Sequence, residues 1–379
     1  MKSNARLGAR PPLLKWVGLA LLALTWVCSS FAQAPPAAPP RVKVSSDGSV
    51  EVPAHTVPMS SFLTPQGQAY VTEHLLNMQR PEMLVQKDGI PVLLAPYLER
   101  QHALFAVDRK DVTIGGVHAW DYTPKGGVSA SNRNRVLINL HGGGFVGCWP
   151  ACAELESIPV AALGRIRVVS LEYRQAPKYK FPAASEDVAS AYRELLKSYP
   201  AENIGIYGCS AGGMLTGMAV AWFQQHGLPR PGAVGILCAG MTLASNGFGG
   251  DAAYTSAAIG ESRAPPPPPS GNPKANVPLG YFEGASMTDP LVAPVNSPAV
   301  LAKFPPTLIV TGTRGFEQSS AVYTHSLLVK QGVDADLHVW EGMFHGFFYN
   351  IDVPESRDCY DVIVKFFDKH LGRKQGAHP

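Results

Sequence analysis

Apolar and polar positions change rhythm several times along the 379 residues. The first 34 pair a basic start (Lys2, Arg6, Arg10 and Lys15, with no acid) with an apolar run from Trp16 to Val27, and close on Ala32-Gln33-Ala34. That is the order of a secretory signal peptide: a basic region, an apolar region of about 7–15 residues and a small-residue cleavage site. The run is shorter than the ~18–20 residues a membrane span needs. Cys28 would suit a lipid anchor, but bulky Val27 stands where such sites need a small residue. The expectation is a signal peptide over 1–34, cleaved after Ala34, a periplasmic or secreted product, and no stable membrane insertion afterwards.

Residues 34–58 are rich in Pro, Ser and Ala and read as an extended lead-in. Apolar spacing predicts two helices over 65–80 and 91–106, separated by an Asp88-Gly89 turn, so 35–109 reads as lead-in plus two N-terminal helices. Then the period drops to two. Val112-Thr113-Ile114 and Val117-His118-Ala119-Trp120 flank Gly115-Gly116, a hairpin signal, and a polar loop follows over 125–134.

Beyond it, short apolar runs alternate with helical spacings. Strands are expected over 135–140, 166–173, 203–207, 233–238, 307–311 and 335–340. Helices are expected over 158–163, 183–198, 211–225, 321–330 and 357–371, the second with Glu186 and Asp187 in its first turn to suit the helix dipole. This alternation predicts an α/β fold with a mostly parallel sheet covered on both faces. The α/β domain would span 110–372, with an insertion at about 240–285 and a tail over 373–379. Within the insertion, Pro265 to Pro269 cannot continue a helix or central strand; the segment reads as a stiffened surface loop, or as the rim of an active site.

Composition narrows the picture. With 46% hydrophobic and 16% charged residues the chain is neither disordered nor a coiled coil, and no second long apolar run makes it polytopic. The net charge of +3 belongs to the leader: without its four basic residues, 28 basic groups face 29 acids, about −1. No basic stripe points to nucleic acid. Five cysteines remain, an odd number; Cys148 and Cys152 are close enough to bridge in an oxidising compartment, and two buried thiols are equally compatible.

Chemistry enters at Gly208-Cys209-Ser210-Ala211-Gly212, between an expected strand and helix. G-x-S-x-G alone is a weak signal, but strand, sharp turn and helix is the geometry that exposes a nucleophilic serine hydroxyl. His141-Gly142-Gly143-Gly144 follows the 135–140 strand and leaves backbone N–H groups uncovered. It lacks the Lys-Ser/Thr of a P-loop and the spacing of a dinucleotide fingerprint. With the serine turn it reads as an oxyanion hole, Gly143 and Gly144 completed by the N–H of Ala211. The base should come late in the chain; His325 falls in a helix and His338 in a strand, whereas His345 follows the last strand between Phe344 and Gly346 and is the expected general base. No ligand-spaced His/Cys cluster appears, so no metal or organic cofactor is implied.

These motifs, with Glu172-Tyr173-Arg174-Gln175-Ala176-Pro177 and Phe181-Pro182-Ala183-Ala184, resemble the bacterial hormone-sensitive-lipase-type esterases of the α/β-hydrolase superfamily over about residues 110–372. The resemblance implies hydrolysis of small-molecule carboxylic esters of short to medium acyl chains, a cap from the N-terminal helices and an insertion, and a lean towards a homodimer. It also exposes a departure. The family's acid follows the strand that here ends at Thr311-Gly312, and its position falls on Gly315, which has no side chain. Three readings compete. Glu317 takes the role, as the only carboxylate in that loop; or no acid exists and the chain is an impaired, ligand-binding relative; or Asp334 or Asp336 swings in. The first is favoured, giving Ser210, His345 and Glu317 as the expected catalytic residues.

Overall fold

The computed structural model describes residues 42–87, 89–244, 247–261 and 280–373. The expected leader and Pro265 to Pro269 lie outside the described residues. Contacts divide the chain into Met1–Thr56 and Val57–Pro379. In the described part of the first unit, Lys43–Val44 and Val50–Glu51 form an exposed antiparallel pair with little apolar burial.

The second unit is built on an eight-stranded sheet: β1 Val107–Ile114, β2 Val117–Pro124, β3 Val136–Leu140, β4 Arg167–Leu171, β5 Ile204–Cys209, β6 Ala233–Leu237, β7 Thr307–Gly312 and β8 Ala335–Trp340. Their spatial order is β8-β7-β6-β5-β3-β4-β2-β1. The β1–β2 hairpin pairs antiparallel with the rest, and every other neighbour is parallel. The helices are α1 Pro65–Met78, α2 Ala95–Leu104, α3 Ala151–Gly164, α4 Ala183–Leu195, α5 Ala211–Gln225, α6 Ala252–Ala258, the single turn α7 Pro298–Leu301, α8 Gln318–Lys330 and α9 Pro354–His370.

Strand alternation decides the layers. Val136, Ile138 and Leu140 of β3 face the core shared with α4, α5 and α8, while Leu137 faces the core of α3 and α9. The polar exception on the second face is Asn139, fully buried, whose amide donates to the Glu156 carboxylate of α3 (2.9 Å). Helix α3 contains the expected 158–163 segment, begins at Ala151 and carries Pro159 inside it. Burial on nearly every side hid the start, because a helix surrounded by apolar neighbours shows no amphipathic period.

One detail corrects the expected picture and another decides between two open alternatives. Asp187 does not serve the dipole of α4; it is nearly buried and holds Arg174 through the Nε (2.8 Å) and the backbone N–H (2.8 Å). Cys148 and Cys152 form a disulfide across the first turn of α3, with Cα atoms 5.4 Å apart. Among the described residues no helix is long and apolar enough to cross a membrane.

Helices α1 and α2 lie against the catalytic layers through specific bonds. Thr64 caps α1 by accepting from the Gly67 N–H (3.0 Å), and its own N–H and hydroxyl donate to Glu355 at the start of α9 (2.7 and 2.9 Å). Buried Gln101 of α2 donates to the Tyr349 carbonyl (3.0 Å), close to the loop after β8.

Candidate active site

Ser210 sits between β5 and α5 with φ 57° and ψ −121°. A serine held at positive φ is strained, and such strain persists only where the surroundings over-determine it. The surroundings here are backbone. A Cβ on Gly212 would lie 1.6 Å from the Leu140 carbonyl oxygen, so the start of α5 presses directly on the end of β3. Gly212→Ala is therefore expected to cost about 3 kcal/mol or more, since a carbonyl cannot swing aside. An unchanged chemical-denaturation midpoint would refute this close approach.

The glycine loop after β3 faces the same space. Gly143 has φ 119° and Gly144 φ 64°, and among the described residues no protein group accepts from the N–H of Gly143, Gly144 or Ala211. His141 supports the loop from below: it is fully buried, its Nδ1 donates to the Gly142 carbonyl (2.7 Å), and Tyr173 donates to its carbonyl (2.6 Å). Burial pulls its pKa down to about 4, so it is a neutral brace.

Between these elements and α1 lies a cavity of about 330 Å³, lined by Ser210, His345, the Gly142–Gly144 loop and mostly apolar side chains. His345 follows β8 with 19% of its side chain exposed, and its Nδ1 donates to Glu317 Oε2 (2.8 Å). Glu317 is fully buried and not a solvated helix-end residue; its Oε1 accepts from the Thr311 hydroxyl (2.9 Å). Burial alone would lower the His345 pKa, but the Glu317 carboxylate, by charge and hydrogen bond, and Glu261 and Glu156 beyond it raise the net value above the usual 6.5. Phe316 stacks on the imidazole with ring centres 4.3 Å apart.

Gly315 leaves room for the Glu317 carboxylate beside His345. A Cβ there would lie 2.4 Å from Glu317 Oε1 and 2.8 Å from Oε2. The Glu317 carboxylate thus fills the space that a side chain at 315 would need. Asp334 and Asp336 stand near His370 and Lys369 instead (both 3.9 Å). Ser210, His345, Glu317 and the glycine loop are thereby brought together, and the two aspartates are not.

Cys238 Sγ, Glu317 and His345 place their ligand-type atoms within 4.8 Å of one another. Their donors are already committed: Nδ1 to Glu317, and the thiol, kept neutral by burial, to accepting from the Gly346 N–H (3.3 Å). That chemistry suits an acid–base pair better than a cation. Cys209 is buried beneath the turn, where a small thiol behaves as a hydrophobe.

Three participants escaped the sequence reading. Glu261, after α6, accepts from the His345 backbone N–H (3.1 Å) and from His74 Nε2 of α1 (2.6 Å). His74 stacks on Phe344 at 3.6 Å. The third, Glu156, bonds to the glycine loop and the serine turn alike. Its one sequence signal was that it and Glu154 are carboxylates in the mostly apolar stretch of α3.

A family model described as alpha/beta hydrolase fold matches residues 137–349. The chain is similar to an acetyl-hydrolase of Streptomyces hygroscopicus, 28% identical over 245 residues, covering 64% of this chain and 78% of the relative. It is similar to the carboxylesterase/phospholipase LipF of Mycobacterium tuberculosis, 27% identical over 226 residues, covering 58% of this chain and 57% of that one. Among solved structures, esterase E25 matches with a TM-score of 0.70 at 28% identity, covering 85% of this chain and 99% of that one. An esterase described as from the bacterial hormone-sensitive lipase family matches at 0.65 and 25%, covering 80% and 99%.

Proposed function

The chain belongs to the alpha/beta hydrolase fold family, as a carboxylic ester hydrolase of the hormone-sensitive-lipase type, and from that premise we propose that it is an exported serine esterase whose triad is Ser210, His345 and Glu317. The observation that carries the reading is the 2.8 Å bond from His345 Nδ1 to a fully buried Glu317, in a residue pair whose imidazole opens onto the cavity of Ser210.

His345 takes the Ser210 proton as the hydroxyl oxygen attacks the ester carbonyl. The oxyanion is received by the free N–H groups of Gly143, Gly144 and Ala211. The imidazolium, steadied by Glu317, then gives its proton to the departing alcohol. Water, deprotonated by His345, hydrolyses the acyl-enzyme in a second round. A cavity of about 330 Å³ lies at the small end of ligand pockets, roughly 300–1,000 Å³. That supports short to medium acyl chains. The Cys148–Cys152 bridge and the leader pattern support export, since disulfides persist in oxidising compartments.

A nitrophenyl ester series of increasing chain length tests the activity and the pocket together, with the expected optimum at short to medium chains. A fluorophosphonate probe should label the chain at Ser210; an inert chain in both assays would overturn the esterase reading. Mass spectrometry of the product recovered outside the cytoplasm should give Gln33-Ala34 removed and Pro35 first, and an intact leader would overturn cleavage.

The pH profile follows from the sign of the His345 shift. The base must be neutral to accept the Ser210 proton, so kcat/KM should rise with pH through a pKa above 6.5 and be lost below it. An acidic limb centred below 6.5 would contradict the charge environment described here.

A further inference from the structure

The Glu156 carboxylate touches neither the cavity nor the reacting atoms, yet it bonds to all three segments that carry them. It lies on α3, 1% exposed. Oε1 accepts from the Gly142 N–H (2.8 Å), in the glycine loop, and from the Tyr349 hydroxyl (3.0 Å), four residues beyond His345. Oε2 accepts from the Cys209 N–H (3.2 Å), one residue before Ser210, and from the Asn139 amide (2.9 Å). Among the described residues no cation pairs with it.

We propose that Glu156 is a positioning residue for ester hydrolysis, a buried four-way acceptor that fixes the oxyanion loop, the nucleophile turn and the histidine loop relative to one another. The inference rests on the serine-esterase reading above.

The donors make the role specific to a carboxylate. The Gly142 and Cys209 N–H groups can only donate. Asn139 is turned with its amide nitrogen towards Glu156, because its oxygen already accepts from the Ser170 hydroxyl (2.6 Å). Four donors converge on two oxygens, and only the Tyr349 hydroxyl can reverse. An acid in an apolar helix without a counter-charge is costly to bury. Burial pushes its pKa up to about 7 even though all four hydrogen bonds pull the other way. The apolar face of α3 would accept a leucine at lower cost; what a leucine lacks is the set of acceptors that hold three catalytic segments at once.

Glutamine keeps the shape and removes half of the accepting power. Its NH₂ must face either Asn139 and Cys209, which offer only protons, or Gly142 and Tyr349, where the hydroxyl can turn round. The second arrangement costs less and leaves the Gly142 N–H unmatched, beside two oxyanion donors. Glu156→Gln should therefore lower kcat about 10²-fold, the loss seen when one oxyanion donor is displaced. KM should stay within about threefold, because the cavity walls are unchanged.

A trifluoromethyl ketone carrying the same acyl chain forms a tetrahedral adduct with the serine, and its affinity should fall by the same factor as kcat/KM. Tyr349→Phe removes one donor only and should lower kcat by about tenfold or less, again at constant KM; it serves where Glu156→Gln does not fold. Circular dichroism confirms that assays run well below each melting point. Wild-type kcat in folded Glu156→Gln, a loss confined to KM, or a kcat loss with unchanged ketone affinity would overturn the proposal. A wild-type chain inert to esters and to fluorophosphonate would instead overturn the esterase reading on which it rests.

Discussion

Glu317→Gln is expected to lower kcat about 10⁴-fold while the protein stays folded, the loss seen when a triad acid is made neutral. The carboxylate accepts the Nδ1 proton of His345 at 2.8 Å and so keeps Nε2 free to act as base. An amide of the same shape can still meet the Thr311 hydroxyl, but it cannot stabilise the imidazolium that forms as Ser210 attacks. Because positions 315 and 317 compete for one space, Gly315→Asp alone should also lower activity by crowding the Glu317 carboxylate. Combined with Glu317→Ala, which vacates that space, Gly315→Asp should recover at least about tenfold over the single Glu317→Ala variant, given that Asp and Glu serve equally as triad acids. Steady-state kinetics on a nitrophenyl ester decide this. Near wild-type turnover in Glu317→Gln removes the residue from the mechanism.

Ser210→Ala should be the more severe change, with turnover reduced about 10⁶-fold, as when a serine nucleophile is deleted elsewhere. Fluorophosphonate labelling should vanish with it. The side chain faces the cavity and not the core, so stability should stay within about 0.5 kcal/mol of the parent. Residual labelling at another residue would place the nucleophile elsewhere.

Much of this arrangement was legible in the sequence, for identifiable reasons. Central strands such as Val136–Leu140 and Ile204–Cys209 are buried on both faces, so they announce themselves as mostly apolar runs between helices, with Asn139 the polar exception. Ser210 was legible because the turn admits only glycine at 208 and 212, where a Cβ would strike backbone. Glu317 was readable only as one of three options. Its displacement by two residues is permitted by a contact with Gly315 that no linear pattern encodes. Glu156, Glu261 and His74 were not found, because each draws its meaning from partners far away in the chain: Gly142 and Cys209 for the first, His345 and α1 for the others. The start of helix α3 was not legible for a related reason, since periodicity fades where every side is covered.

The strand order has one more consequence, for how much of the sheet the proposed chemistry requires. The oxyanion loop and the serine turn leave the two central strands, β3 and β5, whereas the acid and the base follow β7 and β8, which add at one margin of the sheet. On the proposed roles, a chain cut short before β8 would lack the imidazole that activates Ser210. Hydrolysis would then need the whole sheet in register, since the proposed nucleophile and base enter from strands at its centre and its margin.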